Sequence, residues 1–569
     1  MPTLPSITPV CEGFLIDVGP PGASPAQRLA LAKRVVRGTL SGSWRVEPLG
    51  KHSSFFEVTR RARAKTVALS TAWNLVHALK ADRDVRSAEP ALTLQGIEPH
   101  PAHRREQLTR KESARAKSSG GETHKPGSRN PDWSIRSAGI DRAWKLEPVR
   151  GKRFGDGIVV GHPDTGYTLH PEIWNNPGGW QRVRWQAGYD FVDNKPHPVD
   201  PLVDPHPSHG TKTASVIMSD AGAGPGASQW VSGAAPRALL VPYRVIKSVV
   251  VFNFASVAKA IFRAVDGGCH VISMSLGGPL HSQALADAVR YAAARDVIVL
   301  AAAGNVWPFV VYPAKLEQVI AVAATHCDDG PWKQSAHGDA VDVCAPGESV
   351  WRAETRSAPV PYALGRGTGT SFAVATAAGV TALWLAYHGR DRLVRRFGAG
   401  NLASAYRELL VTHGVRRPAG WDTDDYGAGI IDAEKLLRAR LPDNAPAADT
   451  SAGPKRRARR ARAGVVADIA DFFPGTSPAR VRAALAAELH ARDDELDSLL
   501  AEMGDEVAFH IATDAAFREA LQERAAAVAP RPSRRGAKGR TGARVRRAPR
   551  RRNQVARRAS RALKKRMGL

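Results

Sequence analysis

Three residues whose types could carry out nucleophilic chemistry stand far apart in this chain. Each lies in a short glycine-containing segment: Asp164-Thr165-Gly166, His209-Gly210-Thr211 and Gly369-Thr370-Ser371-Phe372-Ala373. The chain order Asp, His, Ser is one of those that builds a triad of acid, base and hydroxyl nucleophile. In such a triad the imidazole takes the proton of the serine hydroxyl, and the carboxylate holds the imidazole in the tautomer that can do so. A fourth segment, Ala301-Ala302-Ala303-Gly304-Asn305, lies between the His and the Ser. Asn305 offers a side-chain amide where acyl transfer needs a donor to a developing oxyanion. Taken singly, Asp-Thr-Gly is most often a turn, and Gly-Thr-Ser-Phe-Ala could open any helix. Only the joint pattern reads as acyl transfer.

These groups need a scaffold that brings them to one edge. Between about Trp133 and Ala439 the sequence alternates apolar runs with helical stretches. The runs Gly157–Gly161, Leu239–Tyr243, His270–Met274, Val297–Ala302 and Val319–Ala324 read as strands buried on both faces. Val257–Val265 and Ser282–Ala294 read as helices between them. The pattern predicts an α/β domain with a doubly wound, mainly parallel sheet and helices on both faces. Asp164 would then sit at the carboxyl end of a strand, where such folds bind ligands. His209 precedes a helical stretch, Thr211–Met218. Ser371 opens a helix over Thr370–Ala386, whose N-terminal amides favour negative charge. His162, His206, His270 and His281 have no partner in the pattern and read as structural.

The flanks differ in composition. Residues 1–96 read as a small α+β domain in the order β-α-β-β-α-β, a ferredoxin-like pattern. Its strands are expected at Val10–Val18, Trp44–Leu49, Phe55–Thr59 and Ala88–Leu94. Pro25 would open its first helix, and Ser70 would cap the second through about Ala81. Residues 97–131 are rich in Arg, Lys, Ser, Gly and Pro and read as a basic flexible linker. The α/β domain spans 132–440, a second basic linker 441–464, and a small helical region 465–530, with a helix from Ser477-Pro478 through about Leu489. Residues 531–569 hold 17 Lys plus Arg and no acidic residue, more than half of the formal net charge of +27, and read as a disordered basic tail. Such a tail would bind nucleic acid or another polyanion without sequence preference; a merely solubilising role is equally open. The four cysteines are scattered and suggest buried apolar residues rather than a disulfide framework. No signal-like N-terminus and no run of about 18 apolar residues is seen, which points to the cytoplasm, with export by a non-classical route as the alternative.

Residues 133–439 resemble the subtilisin-like serine proteases, the subtilase or peptidase S8 family. The resemblance rests on the strand leading into Asp164-Thr165-Gly166, on His209-Gly210-Thr211 and on Ser273-Met274-Ser275-Leu276-Gly277-Gly278. Ala303-Gly304-Asn305, Tyr312-Pro313, Ala345-Pro346-Gly347 and Gly369–Ala373 complete it. Seven matches in one order cover a little over half of the chain. The resemblance implies a bacterial-type serine endopeptidase acting on proteins or peptides, with Asp164, His209 and Ser371 catalytic and Asn305 in the oxyanion hole. It also implies that Ser275, Leu276, Gly277 and Gly278, an extended edge suited to pairing with substrate main chain, and Ala303 and Gly304 wall the substrate pocket. Val306–Val311 is bulky and apolar, which predicts a shallow apolar pocket, and Ala375 stands where a proline is usual. No cofactor is expected. Calcium is allowed by the family analogy, but the loop Ser219–Gly233 is poor in carboxylates, so no metal site is assigned. Residues 1–96 resemble a subtilisin propeptide weakly; removal in the linker and a permanent accessory domain are both open, the latter favoured. A binding scaffold without activity and a nucleic-acid-binding protein with an incidental protease domain are the rival readings. Oligomeric state is not legible.

Overall fold

The computed structural model describes residues 8–61, 66–95, 127, 130–148, 150–174, 181–202, 206–219, 231–355, 362–442, 465–527 and 557–568. They fall into two compact units: one holds residues 1–47, 56–97 and 459–569, the other the remainder.

The N-terminal part of the first unit runs β1 (Thr8–Val18), α1 (Pro25–Thr39), β2 (Trp44–Pro48), β3 (Phe55–Arg60), α2 (Leu69–Lys80) and β4 (Val85–Gln95). The sheet order is β2-β3-β1-β4, with β1 and β4 antiparallel. Ser24 starts α1 through a capping box: its hydroxyl accepts the Gln27 amide, and the Gln27 side chain returns to the Ser24 amide. Ser70 does not cap α2 as expected. The helix starts one residue earlier, and Ala68 at its cap position makes no side-chain bond.

The second unit is built on a nine-stranded sheet. Its strands are β5 (Val159–Asp164), β6 (Tyr189–Asp190), β7 (Leu239–Arg244), β8 (Val271–Met274), β9 (Ile298–Ala302), β10 (Val319–Thr325), β11 (Val343–Pro346), β14 (Val415–Arg416) and β15 (Ile430–Ile431). Their order is β14-β15-β11-β10-β9-β8-β5-β7-β6, parallel throughout except for β14 against β15. Strands β12 (Val350–Thr355) and β13 (Tyr362–Gly367) form a separate antiparallel ribbon. The site-bearing helices are α3 (His209–Met218), α4 (Ala255–Asp266), α5 (Gln283–Ala293) and α6 (Thr370–His388). Strands β5, β8, β9 and β10 are buried at every residue, as a parallel sheet covered on both faces requires. Helix α6 is apolar all round because it runs through the core. It is long and apolar enough to cross a membrane, yet 94% of its 18-residue window is buried in protein.

The C-terminal part of the first unit contains α7 (Val465–Ala470), α8 (Pro478–Glu488), α9 (Asp493–Thr513), α10 (Ala515–Ala527) and α11 (Arg561–Met567). Helix α11 corrects the expectation of disorder through residue 569. Ser560 caps it by accepting the Leu563 amide at 3.0 Å, and Leu563 and Met567, four residues apart, are buried. The expected linkers at 97–131 and 441–464 and the rest of the basic tail lie almost wholly outside the described residues. Cys11, Cys269 and Cys344 are buried, and Cys327 is half-buried.

The core around α6 gives a first expected outcome. The Trp384 ring is fully buried, with its centroid 4.9 Å from that of Tyr406, whose hydroxyl lies 2.8 Å from Thr381 Oγ1. Replacing Trp384 by Ala should lower the unfolding free energy by about 3–5 kcal/mol, read by denaturant titration of a chain carrying Ser371→Ala. An unchanged midpoint would contradict this packing.

Candidate active site

The parallel sheet decides where the reactive side chains emerge. Strand β5 ends at Asp164, whose side chain is fully buried, and the next turn brings its carboxylate against the first residue of α3. His209 Nδ1 lies 2.7 Å from Asp164 Oδ1. That oxygen also accepts the Thr165 amide at 2.7 Å, and Thr213 Oγ1 lies 3.4 Å from Oδ2. The turn and the helix can approach this closely because residue 210 is glycine. A Cβ there would lie 2.3 Å from the Gly166 carbonyl oxygen and 3.2 Å from Asp164 Cβ.

Burial by itself would raise the Asp164 pKa. The charge and hydrogen bond of His209, the nearby His162 and the Thr165 amide outweigh it, and the carboxyl titrates below its usual range. The unfolded value is about 3.9. The ionised form therefore stabilises the fold throughout the neutral range, and that contribution is lost only as pH falls through the lower folded value.

His162 was read as structural, but it touches the site. Its Nε2 lies 3.9 Å from Asp164 Oδ2 and 3.3 Å from Thr213 Oγ1, and Nδ1 lies 2.6 Å from the Tyr167 hydroxyl. Burial pushes its pKa down to about 4, against the pull of Asp164 and with the push of His209, so the ring is neutral at ordinary pH. His206 packs edge-on against His209 at 6.0 Å between centroids. His270 accepts the Val159 amide at 3.2 Å, a structural bond as expected.

The remaining groups converge on an open cleft of about 360 Å³ whose lining includes Ser371, Asn305, Thr370, Gly304, Leu276, Gly277, Val306 and Trp307. Ser371 is the second residue of α6 and is 7% exposed. Asn305 follows β9, and its amide oxygen is fixed by two donors: the Thr370 amide at 3.0 Å and the Thr370 hydroxyl at 2.7 Å. The side-chain NH₂ is thereby left to point elsewhere. It passes close over Gly369, where a Cβ would lie 3.0 Å from Asn305 Nδ2. Thr370 is a site residue that sequence reasoning missed, although it stands inside the quoted Gly-Thr-Ser segment.

The segment Ser275–Gly278 differs from the expected open edge. Gly277 donates to the Val249 carbonyl and accepts from the Val251 amide, each at 2.9 Å. Gly278 and Tyr312 exchange both of their backbone bonds at 2.9 Å. The two glycines are thus already paired, and Gly278 is not among the cleft-lining residues. Ser275 Oγ donates to the Ser371 carbonyl oxygen at 3.0 Å, tethering β8 to the start of α6. Ala303 is fully buried, with its amide and carbonyl used by Val322 and Val311, while its neighbours Ala302 and Gly304 reach the cleft. Val249, Val250, Val306, Trp307 and Val311 add an apolar wall. Of these, the sequence had flagged only the bulk of 306–311.

No three His, Cys, Asp or Glu side chains converge as metal ligands among the described residues. Buried Asp190, for example, is met by Arg244 at 2.8 Å and by the amides of Val192 and Asp193 at 2.9 and 3.0 Å. The Asp190 carboxylate is thus engaged by protein donors. Most of the loop 219–233 lies outside the described residues.

Comparison with known proteins agrees with this architecture. Residues 155–413 match the model of the subtilase family. Thermitase of Thermoactinomyces vulgaris is 34% identical over 239 residues, which is 42% of this chain and 77% of thermitase. Subtilisin Savinase of Lederbergia lenta is 31% identical over 287 residues, 50% of this chain and 92% of Savinase. The chain belongs to the subtilase family. This subtilase is accordingly a hydrolase of the serine endopeptidase type. The crystal structure of fervidolysin from Fervidobacterium pennivorans, described as a keratinolytic enzyme related to subtilisin, shares its fold. The TM-score is 0.53 at 20% sequence identity, covering 77% of this chain and 65% of that one. The family model itself spans residues 155–413 and reaches neither the N-terminal domain nor the C-terminal helices.

The two bonds from Thr370 to Asn305 yield a test within the subtilase site. Thr370→Val keeps the shape and the amide bond but loses the hydroxyl bond. It should lower kcat on a chromogenic peptide roughly 10- to 100-fold, less than loss of a donor outright, with KM little changed. Wild-type kcat in that variant would show that the amide needs no such anchor.

Proposed function

We propose that Asp164, His209 and Ser371 are the catalytic triad of this endopeptidase, and that Asn305 Nδ2 and the Ser371 amide form its oxyanion hole. The observation that carries the reading is the 2.7 Å contact between His209 Nδ1 and the buried Asp164 carboxylate. It fixes the tautomer, leaving Nε2 as the base. The Ser371 hydroxyl then loses its proton to Nε2 as its oxygen attacks the scissile carbonyl. Negative charge collects on the former carbonyl oxygen, opposite the amide donors at the start of α6 and on Asn305. Collapse of the tetrahedral intermediate breaks the C–N bond, and imidazolium returns the proton to the leaving amine. Water, deprotonated by the same nitrogen, hydrolyses the acyl-enzyme and regenerates the serine.

The substrate reading follows from the cleft walls. Val250, Leu276, Val306, Trp307 and Val311 line it with apolar side chains and offer no charge. The enzyme accordingly prefers an apolar side chain on the acyl side of the scissile bond.

Ser371→Ala should abolish both fluorophosphonate labelling and peptide hydrolysis while leaving the fold intact. Full labelling of that variant would overturn the assignment of the nucleophile. Asn305→Ala should reduce kcat roughly 100- to 1,000-fold with little change in KM, because its donor acts on the charged transition state. An unaltered kcat would place the oxyanion hole elsewhere.

A further inference from the structure

Within the first unit the two ends of the chain meet on one helix. Helix α2 has two buried sides. Ala72, Val76 and Leu79 recur at helical spacing and are buried on the side where α2 packs on β1 and β4. Trp73, Asn74, His77 and Lys80 form the other side, and each meets a residue beyond position 500. The Trp73 ring is 2% exposed and lies 5.6 Å from that of Phe509. Asn74 Oδ1 accepts the Arg561 amide at 2.8 Å. His77 Nε2 lies 2.9 Å from Glu506 Oε2, and Lys80 Nζ donates to Asp505 Oδ2 at 3.1 Å.

Glu506 is the centre of this contact. It is fully buried, yet it is met from three separate stretches of chain: His77 of α2, the Ser560 amide at 2.6 Å before α11, and His510 one turn along α9 with Nε2 at 3.7 Å. Burial would raise its pKa; the His510 and His77 imidazoles and the Ser560 amide outweigh that and hold it down to about 2. A buried carboxylate is tolerated only while its partners stay in place, and removing a partner strands the charge. Helices α9 and α11 are therefore fitted specifically to the outer side of α2, because three bonded pairs, His77–Glu506, Lys80–Asp505 and Asn74–Arg561, each join chain segments more than 400 residues apart.

We propose that the C-terminal helices α9 and α11 form a docking module for the chain's own N-terminal domain, and that they keep this domain bound after the chain between residues 97 and 131 is cut. The aromatic pair supplies the apolar part of the contact, the Glu506 cluster its specificity, and Lys80–Asp505 a charge pair at its rim. The domain is thus a permanent component of the molecule, whichever residues perform the catalysis.

The test uses the full chain carrying Ser371→Ala, with a recognition sequence for a foreign site-specific protease inserted between residues 97 and 131. After cutting, the N-terminal fragment should co-elute with the remainder in gel filtration. Its departure is timed with a fluorophore-labelled fragment against unlabelled excess. Glu506→Ala should speed departure at least about 100-fold. Lys80→Glu sets two carboxylates against each other at a partly exposed site that folding does not depend on. It should speed departure roughly two- to fivefold, and Asp505→Lys in the same chain should restore the parent rate. If Glu506→Ala does not fold, the Lys80 pair decides. Immediate loss of the fragment from the parent would overturn the proposal. So would departure at the parent rate from every variant, since something other than these helices would then hold the domain.

Discussion

A fully buried carboxylate organises the catalytic half of this protein. Asp164 has no solvent exposure, so its charge depends on what the fold brings to it. His209, the Thr165 amide, Thr213 and His162 all do so. Meeting that need fixes β5 against α3, forces glycine at position 210, and holds the His209 ring by its Nδ1. The same solution that keeps the carboxylate ionised also orients the imidazole proposed as the base.

The groups proposed for acyl transfer depend on a second junction, the start of α6. Three bonds converge there: Ser275 Oγ holds the Ser371 carbonyl, and the Thr370 amide and hydroxyl both hold the Asn305 amide. They tie β8, β9 and α6 into one rigid corner. A donor for an oxyanion works only if it is already aimed when charge develops, and the two bonds from Thr370 hold the Asn305 amide proposed for that role. The cost is rigidity in the neighbouring wall, where Gly277 and Gly278 are already paired to Val249, Val251 and Tyr312.

Much of this was legible in the sequence because strands buried on both faces leave uninterrupted apolar runs, and because Asp164, His209, Asn305 and Ser371 each sit where an element ends. Less legible were effects of three-dimensional packing. The Ser275–Gly278 stretch reads as an open edge until the 249–251 segment is seen beside it. His162 reads as a core histidine, since nothing local shows that the next residue but one carries the buried charge. Helix α11 hides in a basic run because only Leu563 and Met567 mark its apolar side. Nothing in the sequence of α2 distinguishes Trp73 and His77 as half of a distant contact.

That last contact constrains the order in which the molecule can be completed. His77 and Glu506 are 429 residues apart, an interval that a ribosome needs roughly 20 to 90 seconds to traverse. During that time the outer side of α2 has no partner, and Trp73 and His77 wait uncovered while the whole subtilase domain emerges. The outer side of α2 is made before the α/β domain and covered only after it. A protease born this way has its α/β domain fully synthesised before its N-terminal companion is secured. The sealing step falls to the segment that brings Ser560 and Arg561 to Glu506 and Asn74.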